Sequence, residues 1–192
     1  MRFDKFTTKF QQAFADAQSA AVGGDHAYIE PLHLLQALLN QPDGGTAALL
    51  QHAGVNVSAL RSGLKTAIER LPKIEGTGGE VTISRDLGNL LNLTDKEAQK
   101  RGDQYIASEL FLLALTQDKG ETGRMLKQHG GDRAHIERAV NAMRGGESVG
   151  NPEAEGSRTP SEVYNVPVYR KPPDLVTLDA AAEQRLGMRY GR

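Results

Sequence analysis

The sequence of 192 residues predicts an all-α fold, eight short helices in two pseudo-twofold-related four-helix repeats, followed by a proline-rich extension. Three observations carry that expectation. Apolar side chains recur at three- and four-residue spacing through residues 1–150, which is the period of one helix face. The pattern returns after 77 residues, as expected of a duplicated unit. Five of the eight prolines fall in residues 151–192, and proline fixes φ and removes a backbone donor, so that stretch cannot be one continuous helix or a central strand.

The elements follow in order. Phe3, Phe6, Phe10 and Phe14, with Ala13, Ala17 and Ala21, lie on one face of a first helix, with Thr7 and Thr8 as candidate caps and Thr8-x-x-Gln11 as a capping-box pattern. Pro31 opens LHLLQALLN, at the helix position where a proline costs least. A short helix from Thr46 to His52 ends at Gly54, and another runs from Val57 to Arg70 behind Asn56 as cap. LPKIEGTGGE is too rich in Gly and Pro to be helical. The helical pattern then resumes with Ser84 as cap and Ile83, Leu87, Leu91 and Ala98 as stripe.

The shift of 77 lays Phe6 on Ile83, Thr7 on Ser84, Phe10 on Leu87 and Tyr28-Ile29 on Tyr105-Ile106; after a one-residue slip, Gly54 falls on Gly130 and Asn56 on Asp132. Caps fall on caps and core positions on core positions. This gives repeat 1 at about 3–71, a linker at 72–82 and repeat 2 at about 83–146, packed as one domain over 1–150, because a unit of about 75 residues has little core of its own. In the tail, 151–192, only Leu178 to Met188 has the composition of a short helix.

Composition narrows the function. The 23 basic and 24 acidic residues divide as 17 and 18 in residues 1–150 and six of each after, so no bulk charge draws the chain to nucleic acid or an anionic membrane, and neither is expected as a partner. The absence of cysteine excludes disulfides and thiolate chemistry. No apolar run approaches the roughly 20 residues of a membrane span, and MRFDKFTTKF has charges where a signal peptide needs apolar residues, so a cytoplasmic location is expected. No catalytic function is expected either: the five histidines are scattered without an HExxH pair, and no serine is read as the nucleophile of a Gly-x-Ser-x-Gly elbow. His129 and His135 flank a Gly-Gly turn that reads as a solvated loop, so neither metal nor cofactor is expected.

The tandem repeat, the opening RFDKFTTKFQQAFADAQSAA, IEPLHLLQALL, the linker IEGTGGEV, AQKRGDQYIASELFLLAL and the closing MRGGESV together resemble the Clp repeat N-terminal domain of ClpB-type disaggregases. The resemblance implies a chaperone module of the stress response that recognises unfolded or aggregated polypeptide ahead of two ATPase modules. No Gly-Lys dipeptide occurs, so the phosphate-cradling loop of such a motor is missing from this sequence. AEGSR is similar to the segment that leads towards the first ATPase module, after which the proline-rich tail diverges.

The resemblance further points to Thr7, Asp103 and Glu109 as residues important for chaperone activity. Each also has a purely structural reading: Thr7 as a helix cap, Asp103 as a turn former in RGDQY, and Glu109 as a carboxylate at a helix start. If the repeats set their helix starts side by side, the three form one polar patch. The resemblance also places an apolar substrate groove on the helices Ser84–Lys100 and Ser108–Gln117, with Leu91, Leu93, Leu110 and Leu113 as candidates. Leu93 and Leu110 lie off the main stripes and are expected to be the exposed ones, with Glu97 setting a charge beside the groove.

The tail segment Val163–Tyr169 is a candidate internal pseudo-substrate for that groove, against the plainer reading of a structureless extension. The alternative to client capture is a regulatory or adaptor-docking module that binds a folded partner, such as a full-length Clp ATPase. A truncated fragment of such an ATPase is the remaining alternative.

Overall fold

A computed structural model describes residues 2–75 and 79–156. Both tail expectations, the helix 178–188 and the segment 163–169, lie outside the described residues. Among the described residues there are eight α-helices: α1 (Thr8–Gly23), α2 (Pro31–Asn40), α3 (Thr46–His52), α4 (Val57–Glu69), α5 (Arg85–Lys100), α6 (Ser108–Leu115), α7 (Glu121–Gln128) and α8 (Arg133–Arg144). Two two-residue strands, β1 (Tyr28–Ile29) and β2 (Thr82–Ile83), pair in parallel.

The duplication is visible in the hydrogen bonds. Ser84 N–H donates to Ile29 O at 3.0 Å beside the β1–β2 pair, and Thr7 N–H donates to Ile106 O at 3.0 Å beside a parallel bridge between Phe6 and Ile106. These are one contact made twice, related by the shift of 77. Thr7 and Ser84 cap α1 and α5, each accepting the N–H three residues on, from Phe10 at 3.2 Å and Leu87 at 3.1 Å. Thr8 is the first helical residue rather than the cap, and Gln11 donates its side-chain amide to Phe6 O. The expected Thr8-x-x-Gln11 box therefore gives way to a cap one residue earlier, and Phe3 and Phe6, expected on the face of the first helix, precede it, Phe3 in a 3-10 turn (Phe3–Lys5) and Phe6 in the extended bridge to Ile106.

The two repeats interlock. Helix α3 packs on α8 and α4 on α7, so each half completes its core with helices of the other. Phe10 of α1 meets Phe111 of α6 at 6.2 Å between ring centres, and both are fully buried. Gly54 and Gly130, equivalent in the two halves, both take a left-handed φ, and a Cβ on Gly130 would meet Gly54 O at 2.9 Å. Close approach of the two turns lets Asn56 N–H donate to His129 O at 3.0 Å.

Candidate functional site at the seam between the repeats

The start of α1 and the start of α6 come together where the halves join. Thr7 is fully buried as the cap of α1. Helix α6 has Ala107 in its cap position, which offers no side-chain acceptor to the first turn. The acceptor comes instead from beyond α8. One carboxylate oxygen of Glu155 receives the Ser108 N–H at 2.9 Å and the Thr7 hydroxyl.

Arg144, in the last turn of α8, supplies the positive charge. Its Nε donates to Glu109 Oε2 at 2.9 Å, one terminal nitrogen donates to Asp103 Oδ1 at 3.0 Å, and the other lies 2.9 Å from both carboxylates. Burial pulls the guanidinium pKa down, but Glu109 and Asp103 outweigh it and leave it above its usual value. Burial and the neighbouring Glu109 charge push the Glu155 carboxyl up, against the hydrogen bonds from Thr7 and Ser108. Thr7 is thus brought into one polar cluster with Asp103 and Glu109, which lie in the other repeat. The cluster is enclosed: the side chain of Asp103 is fully buried and Glu109 is nearly so.

A segment that follows α8 encloses it. Val149 accepts from the N–H groups of Gln104 at 2.8 Å and Tyr105 at 3.3 Å, and its own N–H donates to Asp103 Oδ1 at 3.0 Å. Pro152 O accepts from Thr8 N–H at 2.8 Å, and the Thr8 hydroxyl donates to Glu153. Val149 is buried, whereas Asn151 and Glu153 are exposed and Pro152, Ala154 and Glu155 half-buried, although the Glu155 carboxyl itself is enclosed. Arg144 and Glu155 lie in the family-like segments MRGGESV and AEGSR, but nothing in either segment marks them as partners of Thr7, Asp103 and Glu109. The signal that could have found Glu155 is negative: a helix whose cap position is alanine needs an acceptor from elsewhere.

The leucines divide differently from expectation. Leu91, Leu110 and Leu113 are completely buried, and of the four only Leu93 is part-exposed. Leu110 was expected outside the core, but every residue of α6 from Ser108 to Leu115 is buried, because α6 is wrapped by α5, α7 and α8. Glu97 does not stand as a free charge either. It is buried, with Arg133 Nη2 at 3.2 Å from both its oxygens, Gln117 donating at 3.0 Å and Lys100 at 3.8 Å.

One Gly-x-Ser-x-Gly string does occur, at Gly146–Gly150, contrary to the reading that no serine sits in such an elbow. It lies after α8 rather than at a strand-to-helix turn, and Ser148 Oγ donates to Arg101 O at 3.2 Å. Among the described residues no group of three or more His, Asp or Glu is placed to hold a metal ion, and no helix is long and apolar enough to cross a membrane.

In repeat 1 the equivalent place holds a histidine pair. Glu30 N–H donates to His33 Nδ1 at 2.9 Å, so the His33 proton sits on Nε2 and points at His26 Nδ1, 2.9 Å away. Burial, and then the neighbouring His26, lower the His33 pKa to about 4; burial, followed by the Lys73 charge, also lowers that of His26.

Residues 5–129 match the family model of the Clp repeat (R) N-terminal domain, and residues 151–192 match that of the MltA specific insert domain, a stretch under a quarter of the chain. The chaperone protein ClpB of Vibrio cholerae is 48% identical over 166 residues, which is 86% of this chain and 19% of that protein. ClpB of Pseudomonas putida is 44% identical over 171 residues, 89% of this chain and 20% of that one. The chain thus spans about a fifth of the curated relatives it matches, and alignments this long necessarily take in residues 149–156. The N-terminal domain of Hsp104 from Candida albicans superposes with a TM-score of 0.70 at 22% identity, over 79% of this chain and 99% of that one, a likeness of fold. With the duplicated helices, the paired caps and the matching sequence in agreement, the chain belongs to the Clp repeat N-terminal domain family.

Proposed function

We propose that this domain binds unfolded or aggregated polypeptide for a ClpB-type disaggregase, through the seam formed by Thr7, Asp103 and Glu109 and through the part-exposed face of α5 that carries Leu93. One observation carries the reading: the seam already holds a polypeptide segment by its main chain, with the amides of Thr8, Gln104 and Tyr105 given to the carbonyls of Val149 and Pro152. Recognition through backbone carbonyls does not depend on the side chains presented, which suits clients of varied sequence. Leu93 offers a part-exposed apolar contact on α5, and Leu91, Leu110 and Leu113 enter as the packing that fixes the helices beneath. A shallow site burying roughly a few hundred Å² gives affinity of about micromolar or weaker, as a module that must release its client requires.

The second reading, docking of a folded partner such as a full-length Clp ATPase, uses the same surface, because its enclosed carboxylates and single arginine are as specific as an interface needs. Amide chemical-shift titration with reduced, carboxamidomethylated ribonuclease A, an uncharged-modified unfolded probe, tests the first. Shifts at Thr8, Gln104, Tyr105, Ser108 and along α5 are expected. No shifts with the probe, but clear ones with a folded disaggregase, would replace client capture by partner docking.

A further inference from the structure

Resting on that reading of the seam, we infer that residues 149–155 are a built-in competitor, a strap that occupies the polypeptide site and must leave before a client enters. The amides given to the strap are the ones a client would use: Thr8 N–H to Pro152 O, Gln104 and Tyr105 N–H to Val149 O, and Ser108 N–H to the Glu155 carboxylate. Both occupants cannot hold them at once. The strap also closes over Thr7, whose hydroxyl is spent on Glu155, and over Asp103, one oxygen of which is spent on Val149 N–H.

The strap is made to open. Its apolar anchorage is Val149, while Asn151 and Glu153 are exposed, so little core is lost when it lifts. Its far end is fixed by Glu155, which is held by two uncharged donors beside the Glu109 carboxylate and is the least comfortable charge in the cluster. Among the described residues, the corresponding exit from repeat 1 shows no such latch. There the chain leaves α4 through an antiparallel bridge between His26 and Lys73, with Ile74 N–H donating to Asp25 O at 2.9 Å, and Pro31 at the start of α2 has no N–H for a carboxylate to take.

The full 192-residue chain carrying Glu155→Ala tests the strap, read by amide hydrogen exchange and by affinity for the same unfolded ribonuclease. Exchange at Thr8, Gln104, Tyr105 and Ser108 should rise about three- to tenfold, whereas Thr7 and Ile106, whose amides bond to Ile106 O and Lys5 O within the seam itself, should not change. Affinity for the probe should rise about three- to tenfold, the reciprocal of the fraction of sites left open by the strap. Thr8→Pro offers a second opening, since proline is favoured at the first helical position and removes the donor to Pro152. It should raise exchange at Gln104, Tyr105 and Ser108 likewise.

If the four amides stay protected in Glu155→Ala and the remaining three in Thr8→Pro, the strap is fixed structure and the inference fails while the binding reading stands. Amides released with affinity unchanged mean that the strap is no competitor, and the inference fails again. A probe that binds neither the closed nor the opened chain overturns the binding reading, and the competitor with it.

Discussion

The starts of α2 and α6 occupy equivalent places in the two repeats, yet one is closed by its own sequence and the other depends on a residue from far along the chain. In α2, Pro31 removes the first orphan amide and His33 accepts from the backbone of Glu30. In α6, alanine stands at the cap, Ser108 keeps its amide, and Glu155 fills the gap. The shift of 77 sets His26 against Asp103 and Leu32 against Glu109, so a neutral pair in one half corresponds to a charged cluster in the other. Duplication preserved the backbone contact and left the side chains at it free to diverge. A fold needs both seams; a binding site needs only one that can be entered.

The largest effect that would break this comparison is expected at Arg144. Arg144→Ala leaves Asp103 and Glu109 buried without their positive partner, at a cost of about 3–5 kcal/mol. Urea unfolding at neutral pH measures it, and a loss below about 1 kcal/mol would mean that the cluster is hydrated and the enclosure is wrong.

The next effect belongs to repeat 1 and to pH. The folded-state pKa values of His26 and His33 lie below the ordinary value of 6.5, so between 6.5 and about 4 the unfolded chain binds more protons than the folded one. Stability is therefore complete above 6.5 and falls as the pH is lowered through that window, by about 2 kcal/mol. Melting temperatures from pH 7 to 4.5 should show the fall, and His33→Asn should flatten it. An unchanged slope in that variant would move the titration elsewhere.

A smaller contrast sets the two caps against each other. Ser84→Ala removes a cap alone, about 1 kcal/mol, whereas Thr7→Ala removes a cap and the hydroxyl that holds Glu155, about 2 kcal/mol. Equal losses from thermal unfolding would say that Glu155 contributes nothing at Thr7. The smallest effect is expected at Leu93, where Leu93→Gln should change stability by less than about 0.5 kcal/mol because the side chain is part-exposed. The same substitution should weaken binding of the unfolded probe a few-fold, and an undiminished affinity would remove α5 from the site.

Much of the fold was legible because its rules are local. Phe10, Ala13, Ala17 and Ala21 give a period of 3.6, Asn56 and Ser84 carry their own capping oxygens, and Pro31 can start a helix but not continue one. The repeat was legible for the same reason, since equivalent backbones demand equivalent caps. Leu110 was misplaced because periodicity ranks positions around one helix and cannot see that α6 is surrounded on every side. Glu97 was misplaced because a carboxylate in sequence carries no mark of the arginine, 36 residues away, that will meet it.

Sequence by itself determined that residues 1–150 form eight helices in two related halves, and that Asn56 and Ser84 cap two of them, because helix periodicity and capping are decided within a few residues. Tertiary structure alone decided that Thr7, Asp103 and Glu109 converge on Arg144, and that the chain beyond α8 returns to cover them with Glu155. Buried charges are settled by whichever groups the packing brings within about 3 Å, and that proximity is a property of the assembled fold rather than of any segment.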